Sequence, residues 1–498
     1  MLCLIGLDGK NAHNVKVGFA RTTNICIFAS ENIYTYMKFR VVIYSMAMAM
    51  LATTSGCSNG GNGAGATADT QKVEWSLRMA DSHGIGDFYC NTKHRDSLAT
   101  TPWDYVSGLV ASSLLEAWKL HPERTDLYEA VMAYADLATK EDGTGIQKYN
   151  GMDALGPSNI DDLAAARIYF DLYKEETKKG NNDKAARYKK AATLVRNKLK
   201  YEHRRIPQGM EGAGGFWHKM RYPNQMWLDG LFMGPAVYAR WQAAWGSELG
   251  EEDNMASWAD IAFQFKNLFA KTYDAEKHLN YHAWSADVDD VNSFWARKDG
   301  PNKGCNQEFW ARAMGWYFGA LVDVLELMPK DHPDYNDLLK IFQQTAEDLA
   351  ARQDKKTGLW FNLLAHDESA QADGIGDLIN GERYNVGTSH NYTETSASSM
   401  FSFVYMKGVR LGLLDKKFLQ VGKTAFEGVL KNKVSDADNG KVNLNDICAS
   451  AGLGPVSDPG RSGTLNYYLE GSDTKIVKSN EGKGVGAFIL AATEYERL

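Results

Sequence analysis

The sequence predicts an all-α protein, a closed double ring of helical hairpins of the (α/α)6 barrel kind. Three observations predict it. Apolar residues recur at helical spacing in eleven segments after Trp75. The segments alternate with short turns and with long loops rich in glycine and aromatic residues, at roughly fifty-residue spacing. No strict repeat and no polar capping repeat is present, which argues against an open solenoid and for closure into a ring.

The elements follow in order. Asp104–Leu120 sets Val106, Leu109, Val110, Leu114 and Ala117 along one stripe and stops at His121-Pro122. Leu127–Lys140 comes after a short turn. Asp161–Lys178 and Lys184–Lys200 form the next pair around the Gly-Asn-Asn turn at Gly180 to Asn182. Further helices are expected over Pro235–Trp245, Ala256–Thr272, Glu308–Met328, Tyr335–Gln353, Thr393–Leu413, Lys416–Asn432 and Gly482–Arg497. Strand-like alternation is confined to short stretches such as Gly358–Leu363. No Pro/Ser-rich linker or shift of composition interrupts Trp75 to Leu498, so residues 75–498 read as one domain.

The bulk figures narrow the function. The 498-residue chain is 44% hydrophobic and 23% charged, an ordinary globular composition. A formal charge of −7 offers no basic surface for nucleic acid. The 13 Trp and 24 Tyr are mostly core, but flat rings also complement the faces of sugars. A P-loop, a dinucleotide fingerprint and a GxSxG elbow are all missing, so no cofactor is expected.

The first seventy or so residues read differently. Met37-Lys38-Phe39-Arg40 is a short basic start, and an apolar run follows from Val41 to about Ala52. Thr53 to Gly56 then lead to Cys57, the layout of a bacterial lipoprotein signal in which Cys57 is lipidated. Thr54 departs from the usual Leu three residues before that cysteine; the alternative is a simple cleaved signal. Residues 1–57 are thus an upstream segment plus signal, with the start placed at Met37, and 58–74 are a Gly-, Asn- and Ala-rich tether. The expected location is the bacterial envelope, periplasmic or at the outer membrane, with membrane contact through the lipid alone. Cys90, Cys305 and Cys448 are scattered and read as buried small hydrophobes, not as a zinc site.

Five places could carry chemistry. Gly215–Gly234 sets His218, Arg221 and Asp229 among Trp217, Tyr222, Met226, Trp227 and Phe232. A carboxyl in apolar surroundings is harder to ionise, and a general acid needs that property. The alternative for Asp229 is a cap on the helix beginning near Pro235. In Asn159-Ile160-Asp161-Asp162, two adjacent acids exceed what one helix cap requires. Arg312 and Trp316 lie four residues apart on one helix face, a planar cation beside a flat ring, or else a core ion pair and a core Trp. His282 sits in an aromatic loop as a sugar contact or a satisfied core histidine, and Thr393 in Asn391–Glu394 is a possible cap. Asp287, Asp289 and Asp290 lack the Gly and terminal Glu of a calcium loop, so no metal is expected.

Taken together, WDYVSG (Trp103–Gly108), NIDDL (Asn159–Leu163), PNQMWLDGLFMG (Pro223–Gly234), FWARAMGW (Phe309–Trp316), TGLW (Thr357–Trp360), NYTETSAS (Asn391–Ser398) and the ending from Cys448 to Ala491 resemble glycoside hydrolase family 105. That family comprises the unsaturated rhamnogalacturonyl hydrolases; the family 88 unsaturated glucuronyl hydrolases are more distantly similar. The resemblance implies an (α/α)6 barrel and removal of a terminal 4,5-unsaturated uronic acid, galacturonyl on pectin-derived rhamnogalacturonan oligosaccharides, by hydration of the C4=C5 bond. It implies Asp229 as general acid/base and Asp162 as the second acid, with Asp161 competing for that register. It places His218, Arg312, Trp316, Tyr105 and His282 against the substrate, Trp316 stacking on the unsaturated ring. The alternatives are a glucuronyl end from ulvan or arabinogalactan, another (α/α)6 carbohydrate enzyme such as a lyase or epimerase, and a surface glycan-binding lipoprotein.

Overall fold

The computed structural model describes residues 73–89, 103–147, 153–156 and 159–498, and the side chains of all of these except residues 86–89. The leader with Cys57, the tether up to Lys72 and Cys90 lie outside the described residues. Lys72–Leu498 forms one compact unit.

Six pairs of helices follow one another along the described residues. α1 (Trp75–Met79) continues as a π-helical stretch, Ala80–Tyr89, and precedes α2 (Tyr105–Leu120). α3 (Thr125–Ala138) precedes a 3-10 segment, Ile160–Arg167, that runs into α4 (Ile168–Lys178). α5 (Asn182–Asn197) precedes the short α6 (Leu228–Met233), which breaks and restarts as α7 (Pro235–Trp245). α8 (Glu251–Thr272) precedes α9 (Ala311–Leu327), and α10 (Tyr335–Ala350) precedes α11 (Thr395–Arg410). α12 (Lys417–Lys433) is followed by the loop helix α13 (Leu465–Glu470) and by α14 (Gly482–Glu496).

The second members of these pairs close an inner ring. α2 packs on the 3-10 segment, that segment on α6 and α7, these on α9, α9 on α11, α11 on α14, and α14 back on α2. Burial separates the two rings. Inner α9 buries fifteen of its 17 residues, whereas outer α5 buries six of 16, with Ala185, Tyr188, Ala192 and Val195 spaced as a single stripe. Small residues let the inner helices approach: a Cβ on Gly486 would sit 2.8 Å from Leu109 Cγ, and one on Gly315 2.7 Å from Met400 Sδ.

The expected (α/α)6 architecture therefore holds, with a twelfth helical element where the sequence offered eleven. The addition is the first outer helix, whose α-helical part is five residues long before the π-helical stretch begins. Gly358–Leu363 is not a strand; it makes isolated bridges from Phe361 to Thr393 and from Leu363 to Trp310. The strands described are two or three residues long and pair antiparallel in the loops: β1 (Gln225–Trp227) with β4 (Ala283–Ser285), β2 (Tyr273–Asp274) with β3 (Leu279–Asn280), β5 (Asp377–Ile379) with β6 (Glu382–Tyr384), β7 (Val434–Asp436) with β8 (Val442–Leu444), and β9 (Ile447–Cys448) with β10 (Val477–Lys478). No helix among the described residues is long and apolar enough to cross a membrane.

Candidate active site

Each inner helix follows an outer one, so the inner helices run the same way and present their N-termini at one mouth. The chemically able residues collect there. Tyr105 is the first residue of α2, Asp161 and Asp162 open the 3-10 segment, and Asp229, Arg312, Ser396 and Lys483 are second in α6, α9, α11 and α14. The N-terminal ends of six helix dipoles meet at this mouth and favour an anionic ligand. Side chains cap four of the starts: Asp104 accepts from Ser107 N at 2.7 Å, Asn159 from Asp161 N at 3.3 Å, Glu394 from Ala397 N at 2.7 Å and Glu481 from Lys483 N at 2.9 Å. The cap of α11 is thus Glu394 and not Thr393, because the longer carboxylate turns back onto the third N–H.

Asp229 does not cap the helix at Pro235; it lies in the first turn of α6. The β1–β4 ladder decides its neighbour. Trp227 pairs with Ala283, and Leu228 N–H donates to the His282 carbonyl at 3.0 Å, which carries the imidazole alongside Asp229. His282 Nε2 lies 3.1 Å from Asp229 Oδ2, without the alignment of a straight hydrogen bond. The Asp229 side chain is 13% exposed and its Oδ2 is closed off from solvent, while His282 is wholly buried. His282 Nδ1 meets the Tyr468 hydroxyl at 2.8 Å.

A second imidazole borders the same carboxylate. His218 stacks on Trp227 with ring centres 4.4 Å apart, and Trp227 stacks in turn on Tyr222 at 4.9 Å. Gly230, next to Asp229, makes room: a Cβ there would lie 3.3 Å from His218 Nδ1. Burial lowers the His218 imidazole to about 4, despite the opposing pull of Asp161, so the ring is neutral at pH 7. Its Nε2 is 3.5 Å from Asp161 Oδ1, and Lys219 Nζ holds Asp161 Oδ2 at 2.6 Å. Burial works against the Asp161 charge, but Lys219, His218 and Arg221 outweigh it and keep the carboxyl below its ordinary range. Asp162 accepts the Trp103 indole N–H through its backbone carbonyl at 2.9 Å. Asp161 thus forms an ion pair with Lys219 and lies beside the neutral His218 ring.

Arg312, Trp316 and Tyr105 form a second group across the mouth. Arg312 is 1% exposed; it donates to the Cys448 carbonyl and to Ser396 Oγ and lies over the Trp310 ring at 4.7 Å. Burial opposes its charge, yet Glu394 and Glu481 help hold the guanidinium above its ordinary value. Burial and Asp161 push the Tyr105 hydroxyl upward, and Arg312 opposes them, so Tyr105 is the residue that senses both groups. Trp316, 2% exposed, is enclosed by Tyr105 edge-on at 6.0 Å and by a tilted Phe232 at 4.6 Å, a place in the wall. Lys483, beside Glu481, lies 5.9 Å from the Tyr105 ring, and burial pulls its ammonium below the usual range against Glu481. Away from the mouth, Asp287 accepts from Asp289 N and Asp290 N at 3.2 Å each and so organises its own loop.

Sequence reasoning passed over Tyr468, Lys219, Glu394 and Lys483 as site residues. Tyr468 stands 186 positions from His282, so no local pattern links them. Lys219 directly follows His218, which is a usable signal, but its partner Asp161 lies far upstream and meets it only in the fold. The assembled site offers a shielded carboxyl, two buried imidazoles and a cationic rim, the equipment for proton transfer to a polar, anionic ring.

The family description Glycosyl Hydrolase Family 88 matches residues 85–374 and 384–498. A family 105 glycoside hydrolase of C. acetobutylicum is similar in structure, with a TM-score of 0.67 and 32% identity, covering 86% of this chain and 100% of that one. Protein Atu3128 of Agrobacterium fabrum is 33% identical over 239 residues, 47% of this chain and 89% of that protein. An unsaturated 3S-rhamnoglycuronyl hydrolase of Formosa agariphila is 23% identical over 276 residues, 55% of this chain and 58% of that protein. An inner ring of six helices with its candidate catalytic residues at one mouth, and a family match over residues 85–374 and 384–498, make this chain a glycoside hydrolase that belongs to glycosyl hydrolase family 88.

Proposed function

We propose that this hydrolase removes a terminal 4,5-unsaturated uronic acid from an oligosaccharide by hydrating the C4=C5 bond. The observation that carries the reading is Asp229, a carboxyl with one oxygen shut from solvent, beside His282 and His218 at a mouth of helix N-termini. Its proton goes to C4, leaving the positive charge shared by C5 and the ring oxygen. Water then adds at C5 and gives a proton back to the Asp229 carboxylate. The hemiketal opens without further catalysis to a C5 ketone, which leaves a hemiacetal at C1; its collapse to the aldehyde breaks the C1–O bond and releases the shortened sugar. One carboxyl serves both steps, in contrast to the carboxylate pair of most glycosidases.

Arg312, Tyr105 and Lys483 supply the cationic and hydroxyl contacts on the opposite wall, and the helix starts favour the uronate charge. In this reading Asp161 or Asp162 orients water, and Trp316 backs the sugar ring. The galacturonyl end of rhamnogalacturonan fragments is the first substrate choice, supported by the likeness to a family 105 enzyme. A glucuronyl end is the second choice, and relatives named unsaturated 3S-rhamnoglycuronyl hydrolases support a uronyl end in either case. The leader ending at Cys57 supports delivery to the bacterial envelope as a lipoprotein; Cys57→Ser should shift the protein from the membrane to the soluble fraction, and continued anchoring would reject this.

Lyase digests of pectin and of glucuronate-containing polymers test the activity. Ultraviolet absorbance of the conjugated alkene should disappear on incubation with the enzyme. Rising absorbance from an intact polymer would identify a lyase instead, and oligosaccharide binding with unchanged absorbance would identify a binding protein.

A further inference from the structure

Hydrogen bonds anchored on the backbone decide which nitrogen of His282 faces Asp229. Asn306 is wholly buried. Its Oδ1 accepts from Ala283 N–H at 3.1 Å, and its Nδ2 donates to the Glu308 carbonyl at 2.7 Å. A backbone N–H can only donate and a carbonyl can only accept, so the amide has one allowed orientation. The other Nδ2 hydrogen is directed at the Tyr468 hydroxyl, 3.3 Å away. That hydroxyl accepts from Asn306, and among the described residues the acceptor within reach of its own proton is His282 Nδ1, at 2.8 Å, so the O–H is directed there. A ring nitrogen that accepts carries no hydrogen, so the neutral imidazole keeps its proton on Nε2, the atom 3.1 Å from Asp229 Oδ2.

We propose that Tyr468, backed by Asn306, is a positioning residue that locks His282 in the Nε2–H tautomer and so assigns the two oxygens of Asp229 different tasks. The role rests on Asp229 being the general acid/base. Oδ2, shut from solvent, receives the imidazole N–H; the exposure of the side chain falls outside Oδ2, which leaves Oδ1 to exchange the proton with substrate and water. In the opposite tautomer, the Nε2 lone pair would face the carboxylate lone pairs or take the Asp229 proton for itself, and either outcome removes the acid from the reaction. Trp227 and Trp310, with ring centres 5.2 Å and 5.0 Å from His282, wall the imidazole so that its plane has little freedom. The loose alignment of Nε2 with Oδ2 is the kind that tightens when substrate closes the site. This assigns a task to the Leu465–Glu470 helix, whose Thr464 cap, accepting from Tyr467 N at 3.1 Å, places Tyr468 beneath the site.

The full-length protein labelled with 15N-histidine tests this, with His282 identified among the 11 histidines by loss of its signals in His282→Gln. The ring shifts should show Nε2 protonated and Nδ1 bare and accepting. In Tyr468→Phe the two tautomers should mix, and kcat should fall by about ten- to a hundredfold while KM stays within about twofold, because orientation and not uniform binding is lost. A wild-type ring protonated on Nδ1, or on both nitrogens, would overturn the proposal even if the variant failed to fold. A folded Tyr468→Phe protein with unchanged tautomer and kcat would also overturn it. Asp229→Asn separates the two claims: full turnover in that variant would remove the general acid/base and leave the tautomer result standing.

Discussion

The two ends of the inner ring treat charge in opposite ways. At the C-terminal end, Asp323 accepts from Lys407 at 2.7 Å and pairs with Arg240 at 3.2 Å and Arg167 at 3.8 Å, and Lys407 also holds Glu326 at 2.7 Å. Nearby, Glu494 takes Arg410 and Arg497 at 2.7 Å each, and Lys119 bridges Glu116 and Asp171 at 2.8 Å. The cations stand where helix carbonyls converge, which suits them. At the mouth, Asp161 Oδ1, His218 Nδ1, Asp229 Oδ2, His282 Nε2 and Arg312 Nε are buried without an aligned hydrogen-bond partner, whereas among the base groups just named Arg240 Nε alone is so placed. A buried polar atom left so costs about 1–3 kcal/mol, and such costs persist where they serve chemistry. The base is built for stability and the mouth for reaction.

Substitutions at either end can break that contrast. The largest effect is expected for Asp323→Ala, which strands buried Lys407, Arg240 and Arg167 without their shared anion. Chemical denaturation should show a loss of about 3–5 kcal/mol, with turnover per folded molecule unchanged. An equal loss of activity at low temperature, where the variant is folded, would show that the base is coupled to the site.

Acid should find the mouth before the base. Burial holds the His218 imidazole at about 4 against an ordinary 6.5, so the unfolded chain takes up a proton that the folded one refuses. The His218 contribution is complete above pH 6.5 and costs stability as pH falls from there to 4, by up to about 3 kcal/mol. Glu116 is the reverse case: burial opposes its charge, yet Lys119 and other cations hold it at about 2. Its stabilisation is present above its ordinary 4.5 and is lost only as pH falls toward 2. Stability measured from pH 7 to 4 should fall more steeply for wild type than for His218→Asn; parallel curves would refute the assignment. Asp229→Asn comes next. Turnover should drop by at least about a hundredfold, about 2.7 kcal/mol on the barrier, with the melting temperature unchanged. Near-normal alkene consumption would remove Asp229 from the reaction.

The same contrast explains what could be read from the chain beforehand. Inner helices announce themselves because they are apolar on every side, as in Ala311–Leu327, and Asp229 stood out as a carboxylate among Trp227, Leu231 and Phe232. The first outer helix was passed over because five α-helical residues are too few for a periodic pattern. Strands of two or three residues cannot display alternation, so the β1–β4 ladder that brings His282 to Asp229 left no trace. Asp161 and Asp162 could not be told apart because the 3-10 segment turns neighbours by a different angle from the α-helix assumed. Glu394 looked like helix interior because the choice between it and Thr393 depends on a carboxylate reaching back to Ala397. Long-range pairs such as His282 with Tyr468 depend on ring closure, which no local segment contains.

The smallest effect should come from the base, where charges are shared. Glu494 is 3% exposed and held by two arginines, of which Arg410 is 37% exposed and Arg497 22%. Removing either arginine leaves the carboxylate one partner, and a solvent-screened pair is worth little, so Arg410→Ala and Arg497→Ala should each cost under about 1 kcal/mol. The double variant should cost more than the sum, because Glu494 is then buried with no cation against it. An additive cycle would mean that Glu494 finds another partner or becomes protonated. Strong coupling would show that the base protects each ion pair by duplication, a protection that the mouth cannot have: any second partner given to Asp229 would occupy the oxygen its reaction needs.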